Sequence, residues 1–247
     1  MSDPARLPPL RIPELGPYMG KVVTGTGRLP AFLGLDAVRL QLATRVFQGA
    51  GEARRLATRG DRSAAVVAVG PELWLEAWEE AVGTAGELLS DHLGRQFDAH
   101  ARAVRLPRRL RRKHRPTAVG RGALAARLGS AGAPLVATLV GLEPVGAAAV
   151  DATDLEPAAV EQWQNLLRTA ARRLEAAWLD LEHRLEAELQ TAQTALDDVA
   201  QWRRPWWPVV AVGTIVMVAA TWLGLVLGGY LTPPSWFAQL WRRVVFR

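Results

Sequence analysis

The side chains best able to bind a metal or carry a proton near neutral pH are four histidines, His92, His100, His114 and His183. A metal site needs ligands that converge, and these do not. His92 and His100 are eight apart, His114 sits among arginines, and His183 lies far downstream without a His-Glu-x-x-His or comparable spacing. Each reads as a surface or helix-packing residue. Cysteine is absent, which removes thiolate nucleophiles, disulfides and Cys-based zinc sites. A serine-hydrolase elbow would read Gly-x-Ser-x-Gly, but Leu128-Gly129-Ser130-Ala131-Gly132 lacks the first glycine in register and reads as a turn. A phosphate loop needs four residues between its glycine and the Gly-Lys pair. Gly16-Pro17-Tyr18-Met19-Gly20-Lys21-Val22 has three, and a valine stands where a magnesium-binding hydroxyl belongs. Gly25-Thr26-Gly27 is weaker still. Glu182, Glu186 and Glu188 read as one solvated helix face, not a paired acid and base. No catalytic, cofactor-binding or metal-ligating residue is predicted, no cofactor is expected, and the expectation is a protein that is not an enzyme.

The net charge of +6 is a modest pull toward anionic partners. It concentrates in Arg105-Leu-Pro-Arg108-Arg109-Leu-Arg111-Arg112-Lys113-His114-Arg115. Three readings compete for this run: a solvated basic connector, contact with acidic lipid headgroups, and nucleic-acid binding. Each basic residue near a membrane surface contributes about 1 kcal/mol. No aromatic stacking residue interleaves the run, so nucleic acid is the least favoured partner. Lys21 and Lys113 are the only lysines and Asn165 the only asparagine, a bias that fits GC-rich coding and lowers the weight of the arginine excess.

The strongest signal is physical, not catalytic. Residues 209–231 (VVAVGTIVMVAATWLGLVLGGYL) carry no charge, and such a helix would be about 35 Å long, enough to cross a hydrocarbon core. Trp202, Trp206 and Trp207 precede it, and Tyr230, Trp236, Phe237 and Trp241 follow, as amphipathic rings do at headgroup depth. Ala220, Gly224 and Gly228 recur every fourth residue, a small-residue face on which two membrane helices can approach closely. The lipid bilayer is therefore one expected partner, and a homo-oligomer or a membrane-associated protein another. The opening residues hold no apolar signal region, so the bulk of the chain is expected in the cytoplasm. Arginines flank the span on both sides and barely bias its orientation.

The elements that would position these features are helical. Residues 1–35 are rich in Pro and Gly and read as an extended arm. Asp36 is the expected N-cap of a helix to about Arg59, with Gly49 and Gly51 as candidate breaks. Ala64–Val69 is a short apolar run, compatible with one buried strand though not separable from helix by period. Pro71 opens a helix whose stripe is Trp74, Trp78, Val82, Leu89, Leu93, Phe97 and Val104, with Gly83, Gly86 and Gly94 for close approach. Residues 131–150 are apolar but broken by Glu143 and Pro144. They read as a buried core segment in preference to a second span. From Ala158 to Arg204 neither Gly nor Pro occurs, and Leu174, Leu185 and Leu196 keep an eleven-residue spacing, predicting a straight rod of about 70 Å.

The string Arg203-Arg204-Pro205-Trp206-Trp207, the apolar span and Gly229-Tyr230-Leu231-Thr232-Pro233 resemble the C-terminal stalk and anchor of Era-like or dynamin-like membrane GTPases of GC-rich bacteria, over about residues 135–235. The chain departs from them in lacking a phosphate loop and an Asn-Lys-x-Asp motif. The resemblance implies a membrane-associated partner, or a relative without the nucleotide domain, and carries over no GTPase residue.

The expected architecture is mainly α. It comprises an arm (1–35), a helical cytoplasmic body (36–150) with a basic connector (105–116), a long coiled-coil-like stalk helix (151–204) and a hinge (205–208). A single C-terminal transmembrane helix (209–231) and an interfacial amphipathic tail (232–247) complete it. The expected protein is a tail-anchored interaction or scaffold module of a bacterial inner membrane. The alternatives are a degenerate partner of a membrane-remodelling GTPase and a membrane-tethered nucleic-acid binder.

Overall fold

The computed structural model describes residues 10–25, 29, 33–119, 121–151, 157–201 and 207–227, without the side chains of 121–123, 125, 151, 207–209 and 227. The fold is mainly α, and every regular element among these residues is helical. In chain order these are α1 (Gly20–Thr24), α2 (Leu35–Thr58), α3 (Arg62–Ala68), α4 (Pro71–Ala103), α5 (Arg108–His114), α6 (Arg121–Gly129), α7 (Ala133–Asp151), α8 (Pro157–Gln201) and α9 (Trp207–Leu227). The chain divides into two units, residues 1–199 and 200–247.

In the first unit, α8 is the organising element. Its 45 residues give a rod of about 68 Å, and Leu167, Leu174, Trp178, Leu181, Leu185, Ala192, Leu196 and Val199 are all buried along one face. The sequence reading makes 151–204 a stalk that runs toward the membrane and holds the body off the bilayer. Instead its stripe is part of the body, because most of these residues belong to the same core as α2, α4, α6 and α7. The rest joins a smaller cluster of Phe97, Ala101, Leu106, Leu196 and Val199.

The Pro/Gly-rich arm is likewise packed where it is described. Leu10, Ile12, Leu15, Met19 and Val22 are buried in the main core, and the Arg54 guanidinium donates to the carbonyls of Ile12 and Pro13. The Lys21 amide donates to Glu175 Oε1 on α8 at 3.2 Å, and Arg172 lies 5.1 Å from the Tyr18 ring centre. Apolar anchors between the prolines hold the segment down.

Local chemistry explains the other departures. Ala64–Val69 is not a strand: its first five residues lie in α3 and Val69 is the C-cap, while Asp61 caps the other end by accepting from the Ala64 amide at 3.1 Å. Gly49 and Gly51 do not break α2. A Cβ at Gly49 would meet Leu73 and the Ala68 carbonyl, so this glycine permits close approach. Asp36 lies in the first turn of α2, behind an N-cap at Gly34, and pairs with Arg39 at 3.0 Å. On α4, Gly86 and Gly94 face Leu128 and Val119 at 3.6 Å, but Gly83 faces open space.

Two helix ends use the same hydrogen-bond motif. After α2, the amides of Gly60 and Asp61 donate to the carbonyls of Ala57 and Leu56. After α4, those of Arg105 and Leu106 donate to Arg102 and Ala101. Both ends need a left-handed residue, at φ 85° for Gly60 and φ 52° for Arg105.

Ala126–Val150 is the one stretch of described helix long and apolar enough to cross a membrane, by length and composition. Its Leu128, Ala131, Leu135, Leu139, Leu142 and Ala149 are buried in the main core. One side of the stretch thus packs into the core, while most of its other residues, Val136 and Val140 among them, stay exposed.

Candidate membrane-contact residues

The second unit presents α9. Its 21 residues rise about 32 Å, comparable to a hydrocarbon core of roughly 30 Å. Trp207 and Pro208 open this helix, so half of the expected hinge at 205–208 is helical, and a proline suits a first turn. The apolar part described, Val210–Val226, is short, and 228–231 lie outside the described residues. Val210, Val212, Ile215, Val216, Met217 and Val218 are each at least 60 % exposed. This is the opposite of the α8 pattern, in which one face is buried. The two hydroxyls of α9 turn inward on their own backbone: Thr214 donates to the Val210 carbonyl and Thr221 to that of Met217, each at 2.8 Å. Such back-bonding satisfies a hydroxyl where water is absent.

Ala220 and Gly224 are exposed, one turn apart, and a Cβ at Gly224 would meet nothing within 4 Å. Gly228 lies outside the described residues. So do Trp202, Trp206, Tyr230, Trp236 and Trp241, while Trp207 is helical without a described side chain.

In the first unit the basic run is more than a connector. Arg108 to His114 form α5. Leu106 is 2 % exposed, and Leu110 packs half-buried against the same small cluster of Phe97, Ala101, Leu196 and Val199. Arg111 donates through Nε to the Leu106 carbonyl at 2.9 Å. With these residues turned inward, Arg105, Arg108, Arg109, Arg112, Lys113 and Arg115 are exposed. None of the seven cations from Arg105 to Arg115 forms an ion pair with a described acidic residue. Elsewhere arginines do pair: Arg45 with Glu80 at 2.7 Å, Arg127 with Glu188 at 2.6 Å and Arg184 with Asp180 at 3.0 Å.

The polar residues nearest to a chemical motif are engaged in packing. Glu182 is 6 % exposed and accepts from the Trp178 indole at 2.9 Å. Glu188 receives both Nε and Nη2 of Arg127. The three α8 glutamates are thus not one solvated face. Glu182 falls one position after Leu181 on the buried stripe, a placement that the helical period contains. Ser130 accepts from Arg184 and donates to the Arg127 carbonyl, inside a short 3-10 turn. A Cβ at Gly132 would strike the indole of Trp78 on α4, so this glycine lets that ring lie against the turn. Sequence spacing alone did not single out Gly132. Burial, and then the Arg95 charge, lower the pKa of His92 below its ordinary value.

No protein-family model, curated protein or solved structure matches the chain.

Proposed function

We propose that this protein is a non-enzymatic, membrane-anchored interaction module. In this reading α9 crosses the membrane with the residues that follow it, and the α-helical body sits on the cytoplasmic side of a bacterial inner membrane. The observation that carries it is an apolar helix with most of its described side chains exposed, Ala211, Trp222 and Val226 being half-buried, and with both hydroxyls satisfied within the helix. In water such a surface is a liability; in hydrocarbon it is the stable state. The arginines and lysine of α5, none in an ion pair with a described acidic residue, fit an anionic leaflet, and their order on a pinned helix favours headgroup contact over a solvated connector. Ala220 and Gly224, with Gly228 one turn on, supply a face for self-association or for a partner's membrane helix. Lys21, Ser130 and Glu188, among the groups nearest to a chemical motif, instead join α8 to other elements, which supports a scaffold role.

Alkaline carbonate extraction of membranes tests the anchor. The full chain should stay in the pellet, and the variant Val212→Asp/Val216→Asp should leave it; release of the unaltered chain would refute the reading. Saturable nucleotide binding by the purified protein would replace it with the degenerate-GTPase reading.

A further inference from the structure

A cleft of roughly 320 Å³ opens in the first unit between α3, the start of α4, α7 and the start of α8. Its volume falls at the small end of the range for ligand sites, about 300–1,000 Å³. Val66, Val67, Leu142, Ala147, Val150 and Trp163 form apolar walls. A Cβ on Gly146 would come within 3.0 Å of Val66 and 3.3 Å of the Trp163 indole nitrogen, so the glycine lets both wall residues lie against α7. Two carboxylates, Glu72 and Glu143, stand at this cleft. Both are exposed, and among the described residues neither has a hydrogen-bond or ion-pair partner. No described basic side chain lines the cleft. Glu72 also sits in the first turn of α4, where it offsets the positive helix end and makes that end a poor seat for an anion.

We propose that this cleft binds a small cationic amphiphile, an ammonium group on an apolar stem. The stem lies between Val66, Ala147 and Trp163, and the cation meets Glu72 and Glu143. Apolar burial supplies the attraction common to any ligand of that shape, and the carboxylates select its charge. A fatty-acid-like anion meets two like charges and is rejected. The proposal does not depend on α9 entering a membrane.

Titration calorimetry on the full chain in a non-ionic detergent, against micelle blanks, tests it with hexylammonium, hexanol and hexanoate at neutral pH. Hexylammonium should saturate one site at least tenfold more tightly than hexanol, with hexanoate weakest. Glu72→Gln/Glu143→Gln should bring the amine level with the alcohol. Ala147→Phe, which fills the cleft from an exposed helix position, should abolish binding of both. Circular dichroism should show wild-type helicity in each variant, since all three positions are exposed. No hexylammonium binding, equal binding of the three probes, or an amine affinity untouched by the double substitution would overturn the proposal. So would amine binding that survives Ala147→Phe.

Discussion

Arg105 holds a backbone conformation that glycine adopts freely and an L-residue adopts at a cost of roughly 1–2 kcal/mol. Gly60 fills the equivalent place after α2. Arg105→Gly should therefore raise the unfolding midpoint by a few degrees, about 2–4 °C for each kcal/mol in a chain this size, measured by circular dichroism. The same change removes one cation from the run, so binding to anionic vesicles should weaken slightly while stability rises. Gly132→Val should act the other way. Overpacking against the Trp78 indole costs about 1–3 kcal/mol and should lower the midpoint in the same assay. His92 adds a pH dependence with a fixed sign. Its folded pKa is lowered, so the unfolded chain binds the proton more readily, and the stability it contributes is lost as pH falls below about 6.5. His92→Gln should flatten that part of the stability profile measured in urea. At this scale the sequence was legible only in part. Period placed Leu181 and Leu185 inside, but that Glu182 follows them inward depends on the Trp178 indole bond it accepts, and that Gly132 seats Trp78 depends on two residues that meet only in the fold.

Among the elements, the long helices were readable because many repeats of one period outvote local ambiguity. The α8 stripe is the clearest case, and it sets a contrast of variants: Leu185→Ala should cost about 2–5 kcal/mol in urea unfolding, whereas Glu161→Ala, on the exposed side, should stay within about 0.5 kcal/mol. Short elements were not readable in the same way. Six apolar residues at Ala64–Val69 satisfy strand and helix equally, and the deciding information lay upstream in the Asp61 cap. The basic run was visible as charge, but its order was not. Leu106 and Leu110 are only two residues, and their value comes from Leu196 and Val199, about ninety positions away. Because that contact fixes which way the arginines face, Arg108→Gln/Arg109→Gln/Arg112→Gln/Lys113→Gln should weaken vesicle binding by about 1 kcal/mol per charge. The loss should be seen with anionic vesicles at low salt and vanish with neutral ones.

At the scale of the molecule, Val199 is the last described residue that belongs to a core cluster, and it lies within the first unit. A chain shortened to end at Gln201 should then unfold cooperatively at the full chain's midpoint while no longer sedimenting with membranes. A lowered midpoint would show that the second unit contributes to the body after all. The sequence marked the membrane segment and the rod separately but treated the rod as a spacer, because an amphipathic stripe states that a partner exists without naming it. The partner is the chain's own first half. Lys21 meets Glu175 across 154 positions, and the buried faces of α2, α4 and α7 share a core with α8. That pairing has a consequence for synthesis. The body stays open until α8 has been translated, and the stretch from Val199 to Leu227 follows within roughly 1–6 s at about 5–20 residues per second. The ribosome thus releases the apolar helix just as the body first becomes able to close, so the two surfaces most prone to aggregation need shelter in the same few seconds.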